Sequence, residues 1–291
     1  MLLELAIGDA YGAAFEYADE AYIQQHNHVQ KYVSRPKGDV APGQYTDDTQ
    51  MSIAIAEAIL SGEEWTPENI AAWFVEAFHR DPRAGYARGF HTFLSKTTTE
   101  EDFLAQIRPD SDKSGAAMRA TPIGFYPDTA EVIQRATLQA KLTHDTPGGI
   151  ASAVAAALMP HYFLYHRGEK EGLGAFLEKH VTGHPWGKPY RGRVGASGWM
   201  SVRAAVTSVM RYNRMTDILR ACVAFTGDVD TVATLALAAG SCSAEVEQDL
   251  PQTLIEGLEN HTYGRDYLRS LDVQLFAQFP TSLQEVSHDR I

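Results

Sequence analysis

The chain has 291 residues, 44% of them hydrophobic, and a formal net charge of −12. That length and apolar share can fill one large core. The negative charge excludes a protein held on nucleic acid by a basic phosphate-binding face. A phosphate-bearing ligand is not excluded, because a metal ion, backbone N–H groups or a helix N-terminus can supply positive field locally. The two cysteines, Cys222 and Cys242, stand among apolar or small residues without a CxxC spacing and read as buried thiols of a reducing compartment. There is no basic stretch leading into an apolar segment at the N-terminus, and no apolar run of ~20 residues. The expectation is a soluble, cytoplasmic, monomeric protein with no membrane contact. No linker, low-complexity tract or repeat divides residues 1–291, so a single domain is expected.

The dominant period is helical. Residues 49–60 place Met51, Ile55, Ala58 and Ile59 along one stripe, closed by Ser61-Gly62. Thr66-Pro67-Glu68 opens residues 69–80 as an N-cap followed by proline at the first helical position. Residues 99–107 begin with acids that suit a helix N-terminus. Further helices are expected at 128–142, 149–166, 172–180, 197–212, 216–225, 230–239, 245–259 and 264–279. Strand signals are nearly absent. The predicted fold class is therefore all-α, an orthogonal multi-helix domain rather than a four-helix bundle. Residues 161–193, with His184-Pro185-Trp186-Gly187, hold the long aromatic and glycine-interrupted stretch, and long loops in compact domains tend to be functional.

Four segments carry chemistry. Gly8 and Gly12, four apart, let another backbone or a ligand approach closely, and Glu16 stands seven residues after Asp9, so both acids can share a helix face. Thr46-Asp47-Asp48-Thr49 precedes the first amphipathic helix. Adjacent carboxylates there are either an N-cap or a pair that needs a cation between them. Asp228-Val229-Asp230-Thr231 puts two carboxylates on the same side of an extended stretch ahead of an uncharged, hence buried, helix. Buried acids without a basic neighbour need a partner, and a metal ion can be that partner. Neither cluster contains His or Cys, which selects Mg²⁺, Mn²⁺ or Ca²⁺ over Zn²⁺. Six such side chains exceed the needs of one Mg²⁺ and suit two ions a few ångströms apart. The fourth segment joins Ser114-Gly115-Ala116-Ala117-Met118-Arg119, whose small residues can bare N–H groups to a diphosphate, with Thr143-His144, where His144 can hydrogen-bond or stack on a ligand.

In this order and spacing, over residues 5–239, the Gly8-Asp9-Ala10, Thr46-Asp47-Asp48-Thr49, Gly115-Ala116-Ala117-Met118-Arg119, Thr143-His144 and Gly227-Asp228 with Asp230-Thr231 segments resemble the ADP-ribosylglycohydrolase family. The resemblance implies an all-α fold with a binuclear Mg²⁺ or Mn²⁺ centre in a cleft. Thr46, Asp47 and Asp48 would match one half of its ligands, and Asp228, Asp230 and Thr231 the other half, with Asp230 as the bridge. Glu16 would match a glutamate beside the metals, outside the six ligands, and with Asp47 and Asp48 is expected to act in catalysis. Gly12, Ser114, Gly115, Ala116, Met118 and His144 are the expected substrate contacts. Lys113-Ser114 stand where the family often has Gly-Asn, and Val229 takes the middle position of the second acidic cluster without costing a ligand.

The implied reaction is hydrolysis of the bond between ADP-ribose and an acceptor. The expected partner is an ADP-ribosylated protein, arginine first, with ADP-ribose as product and no stable nucleic-acid binding. The alternatives are a family member that binds ADP-ribose without cleaving it, and a hydrolase of ADP-ribosylated nucleic acid or small molecules. An unrelated all-α phosphohydrolase would use His-Asp metal sites, which neither cluster offers. Acceptor choice is expected to lie in residues 80–95 and 180–197.

Overall fold

The computed structural model describes residues 1–36 and 40–281. The first helices are α1 (Leu2–Gly12), α2 (Glu20–His26), α3 (Asp47–Ser61), α4 (Pro67–Arg80) and α5 (Arg88–Leu94). They are followed by α6 (Glu100–Gln106), α7 (Gly115–Met118), α8 (Thr129–Lys141), α9 (Pro147–Leu164) and α10 (Leu173–His180). The last are α11 (Gly198–Arg211), α12 (Met215–Ala224), α13 (Val229–Ser241), α14 (Gln252–Gly257) and α15 (Arg265–Gln278). Among the described residues, β-type pairing is confined to isolated bridges, so the fold is all-α as the sequence predicts. Among the described residues, no helix is long and apolar enough to cross a membrane.

Local chemistry sets the helix starts. Thr66 accepts from Asn69 N at 3.2 Å with Pro67 in the first turn of α4. Thr146 accepts from Gly149 N at 3.0 Å, which starts α9 at Pro147 rather than at the predicted 149. The centre of the molecule is α1 laid against α13. A Cβ at Gly8 would lie 2.6 Å from Ala233 O, and one at Gly12 would run into Asp230 Cα. The glycine pair therefore admits another backbone, the first of the two uses its spacing allows.

Two expectations need correction. Helix α1 ends at Gly12, and Glu16 sits in the turn beyond it, so Asp9 and Glu16 do not share a helix face. The predicted helix over 245–259 shrinks to Gln252–Gly257. Pro251 lacks an N–H and disfavours helix in the residue before it. The preceding residues instead cap α12: Asp249 accepts from Thr216 N at 2.9 Å and from Thr216 Oγ1 at 2.6 Å. Within the 161–193 stretch the expected helices form, its first residues completing α9 and Leu173–His180 forming α10, and the loop begins at 181.

Candidate active site

Helices α3 and α13 both begin at the floor of a cleft of about 770 Å³. At the start of α3 the capping acid comes from another helix. Buried Asp9 of α1 accepts from Thr46 N at 2.9 Å and Thr49 N at 3.0 Å, and from the two threonine hydroxyls at 2.7 and 2.6 Å. Asp47 and Asp48 are thereby released from capping, and neither makes a cap bond. Asp47 N donates to Ala84 O at 3.0 Å, and Asp47 lies against Gly85, whose φ of +107° and missing Cβ leave room for its Oδ1. Asp48 Oδ2 is buried without any hydrogen-bond partner.

At the start of α13, Asp228 is the helix-flanking residue and Asp230 lies in the first turn, so the pair sits on a turn and not on the extended stretch that the sequence suggests. Asp228 Oδ2 accepts from Ser201 Oγ at 3.2 Å. Tyr17 N donates to Gly227 O at 2.9 Å, which ties the 13–17 turn to this loop and brings Glu16 in. Carboxylate oxygens of Glu16, Asp228 and Asp230 lie within 4.8 Å of one another. Glu16 also pairs with Arg35 Nη2 at 2.6 Å.

The electrostatics follow from this crowding. Burial first, then the charges of Asp9 and Glu16, push the Asp47 carboxyl well above the usual range. Asp48 is raised by burial, Asp9 and Asp47, and Asp230 by burial, Glu16 and Asp228. Glu16 is raised too, by burial before Asp228, with Arg35 acting in the opposite sense. Six acids converge on one region, and Arg35 is the cation paired with them among the described residues. Such a cluster must take up protons or a cation. The partnerless Asp48 oxygen and an all-oxygen donor set fit a hard divalent cation.

Most of the expected contacts meet here. Glu16, Asp47, Asp48, Asp228, Asp230 and Thr231 line the floor, while Ser114, Gly115, Met118 and His144 line one wall. Gly12, Ala116 and Thr46 are buried behind these surfaces: Gly12 against the Asp230 backbone, Ala116 with its carbonyl accepting from Gln139, and Thr46 on Asp9. Asp9, Arg35 and Gly85 were not among the expected site residues. Of these, Asp9 carried a readable signal, as a lone acid among apolar and small neighbours one turn before Gly12. The opposite wall brings Phe90 and Phe93 from α5.

The 181–197 loop straps both halves. Ser114 N donates to Ala196 O at 3.0 Å and Gly198 N to Asp112 O at 3.0 Å. Val194 N donates to Thr226 O at 2.9 Å, and Asp228 N to Val194 O at 3.2 Å.

Fold and centre together define an all-helical protein built round an acidic cleft whose carboxylates could hold a cation. The chain belongs to the ADP-ribosylglycohydrolase family, a class of glycosidic hydrolases, whose profile matches residues 1–284. It is similar to the ADP-ribosyl-[dinitrogen reductase] glycohydrolase of Rhodospirillum rubrum, at 27% identity over 94% of this chain and 93% of that one. An uncharacterized protein of Archaeoglobus fulgidus is 32% identical over 54% of this chain and 52% of its own length. The ADP-ribosylhydrolase ARH3 of Xenopus tropicalis is 30% identical over 56% of this chain and 49% of its own. The match thus spans about half the length of those two relatives. A solved structure, described as an ADP-ribosylglycohydrolase-related protein complex, superposes with a TM-score of 0.68 over 95% of both chains at 21% identity, a likeness of fold.

Proposed function

We propose that this chain hydrolyses the glycosidic bond between ADP-ribose and an acceptor, using two Mg²⁺ or Mn²⁺ ions. The observation that carries the reading is the convergence of Asp47, Asp48, Asp228, Asp230 and Glu16 on one cleft, with a buried Asp48 oxygen left unpaired. From α3, Asp47 and Asp48 would hold the cations, with Thr46 joining through the lone pairs its hydroxyl keeps while it donates to Asp9, and from α13 Asp228, Asp230 and Thr231 would do so. Bound there, such cations lower the pKa of water and polarise sugar oxygens.

The chain's own groups supply the rest. Glu16, whose carboxyl is raised by burial, takes the proton from attacking water or gives one to the leaving group. The carboxylates at the floor stabilise positive charge developing on the anomeric carbon. Ser114, Gly115, Met118 and His144 offer a wall for the diphosphate and distal ribose. An ADP-ribosylated protein is the substrate we favour, with arginine as the first acceptor to test. An ADP-ribosylated nucleic acid or small molecule is the second.

The test is a panel of ADP-ribosylated arginine, serine and nucleic-acid substrates, assayed after chelation and after return of Mg²⁺, Mn²⁺ or Zn²⁺. Activity lost with EDTA and restored by Mg²⁺ or Mn²⁺ but not Zn²⁺ is expected. Full turnover in a thoroughly chelated sample refutes the two-metal reading. ADP-ribose binding without turnover of any panel member would identify a binder instead.

A further inference from the structure

Arg119 closes the small-residue run at 115–118 and has no part in the reading above. It is almost fully buried yet lines the cleft, as Thr143 does, with its guanidinium 4.4 Å from the Phe74 ring centre. Among the described residues no carboxylate pairs with it. Its acceptors are Gln139 Oε1 at 2.7 Å from Nε, Gln139 O at 3.1 Å from Nη2, and Thr143 Oγ1 at 2.7 Å from Nη2. A guanidinium is a donor at every position and stays charged at neutral pH. The Thr143 hydroxyl therefore accepts from Arg119, and its own hydrogen must go elsewhere.

The other partner of that hydroxyl is His144 Nδ1, at 2.7 Å. Among the described residues Nδ1 is the one acceptor paired with that hydroxyl, and its hydrogen is assigned there rather than to the cleft that Thr143 also lines. A ring nitrogen that accepts carries no proton, so in neutral His144 the proton sits on Nε2. Burial first, then the charges of Arg119 and Lys113, hold the imidazole neutral by pulling its pKa down to about 3. His144 is 7% exposed and lines the cleft. Its Nε2 faces Gly115, where a Cβ would stand 3.3 Å away, and no described residue accepts from it.

We propose that Arg119 and Thr143 are positioning residues that fix His144 as an Nε2–H donor, aimed into the cleft at an acceptor oxygen of the bound ligand. The ligand chemistry this selects is a diphosphate or ribose oxygen that accepts, not a group that donates. The ligand half of the inference rests on the cleft being the ADP-ribose site; the tautomer half does not.

Nitrogen NMR of ¹⁵N-histidine-labelled protein, with the His144 signals assigned by their loss in His144→Gln, reads the tautomer directly at pH 7. The parent and Thr143→Ser should show Nδ1 unprotonated and Nε2 protonated. Thr143→Val is nearly isosteric and removes the hydroxyl, leaving Arg119 Nη2 with Gln139 O as its acceptor, so it should give a mixture of tautomers. It should also bind free ADP-ribose about 10-fold more weakly, the share of one oriented hydrogen bond, with Thr143→Ser restoring the affinity. A parent protein protonated on Nδ1 overturns the inference. So does a Thr143→Val protein whose tautomer and ADP-ribose affinity both match the parent. A parent that shows the expected tautomer and yet does not bind ADP-ribose would refute the function proposed above, and leave the tautomer assignment standing.

Discussion

Removing Asp9 tests whether the metal-binding half at α3 is built from outside itself. Asp9→Ala strips the acceptor from four buried donors: the N–H groups of Thr46 and Thr49 and their two hydroxyls. The hydroxyls can rotate to other acceptors, but the two N–H groups at the start of α3 cannot. Each buried donor left unpaired costs about 1–3 kcal/mol, so the backbone part alone is about 2–6 kcal/mol. One contribution runs the other way. The Asp9 charge helps to raise Asp47, Asp48 and Asp230, and its removal relieves that repulsion. A net loss of about 2–4 kcal/mol in chelated buffer is therefore expected from urea unfolding. Calorimetric Mg²⁺ titration should show affinity lowered by about 10–100-fold, because the groups that orient the ligands have lost their anchor. Asp9→Asn is the graded control, since its amide oxygen can still accept the three bonds now made to Oδ2. An Asp9→Ala protein with unchanged unfolding midpoint and unchanged Mg²⁺ affinity refutes the reasoning.

Glu16→Gln should leave ADP-ribose affinity within about an order of magnitude while single-turnover hydrolysis falls by ~10²–10⁴-fold; loss of bound metal instead would make Glu16 a ligand. Gly85→Ala should destabilise by about 1–3 kcal/mol through its positive φ and also weaken Mg²⁺ binding, because the new Cβ occupies the place of Asp47 Oδ1; a stability loss with normal metal binding would show that Asp47 is dispensable. His161 is buried between Tyr126 O and Thr129 Oγ1, and burial, then the charge of Arg167, pull its pKa down to about 4. The unfolded chain takes up that proton near pH 6.5 while the folded chain does not, so stability is lost as pH falls from 6.5 towards 4, by on the order of 3 kcal/mol in all. Urea midpoints at pH 7 and 4.5 should therefore diverge more for the parent than for His161→Gln, and parallel behaviour would remove His161 as the cause.

What the sequence exposes is what local chemistry decides. Thr66-Pro67 marks the start of α4 because cap and proline act within one turn. The two acid pairs are visible because each lies next to the helix it begins. The question left open at Asp47-Asp48, cap or cation ligand, could not be resolved from that segment, because the true capping acid lies 37 residues away in α1. Likewise the spacing of Glu16 from Asp9 suggests one helix, although α1 stops at Gly12 and the following turn is tied to Gly227 through Tyr17 N. Arg35, half-buried on Glu16, has no local pattern at all; a lone arginine in a loop reads as surface.

The 181–197 loop carries this argument furthest. The family resemblance makes residues 180–197 a candidate for acceptor choice, and nothing in the residues themselves says otherwise. Its backbone, however, bonds at 196 to the Ser114 loop and at 194 to the strand-like turn that presents Asp228. Its next residue, Ser197, bridges Lys113 before α11 begins. Trp186 anchors the loop from inside, fully buried, with its indole donating to Val181 O at 2.8 Å. These are backbone hydrogen bonds, which any sequence of compatible shape can make, so they leave no signature in residue type. The distance between the Ser114 wall and the second acid pair is thus set by a segment that contributes only Ala196 to the lining of the cleft. Shortening this loop should therefore disturb Ser114 and Asp228 together, whatever it does to the choice of acceptor.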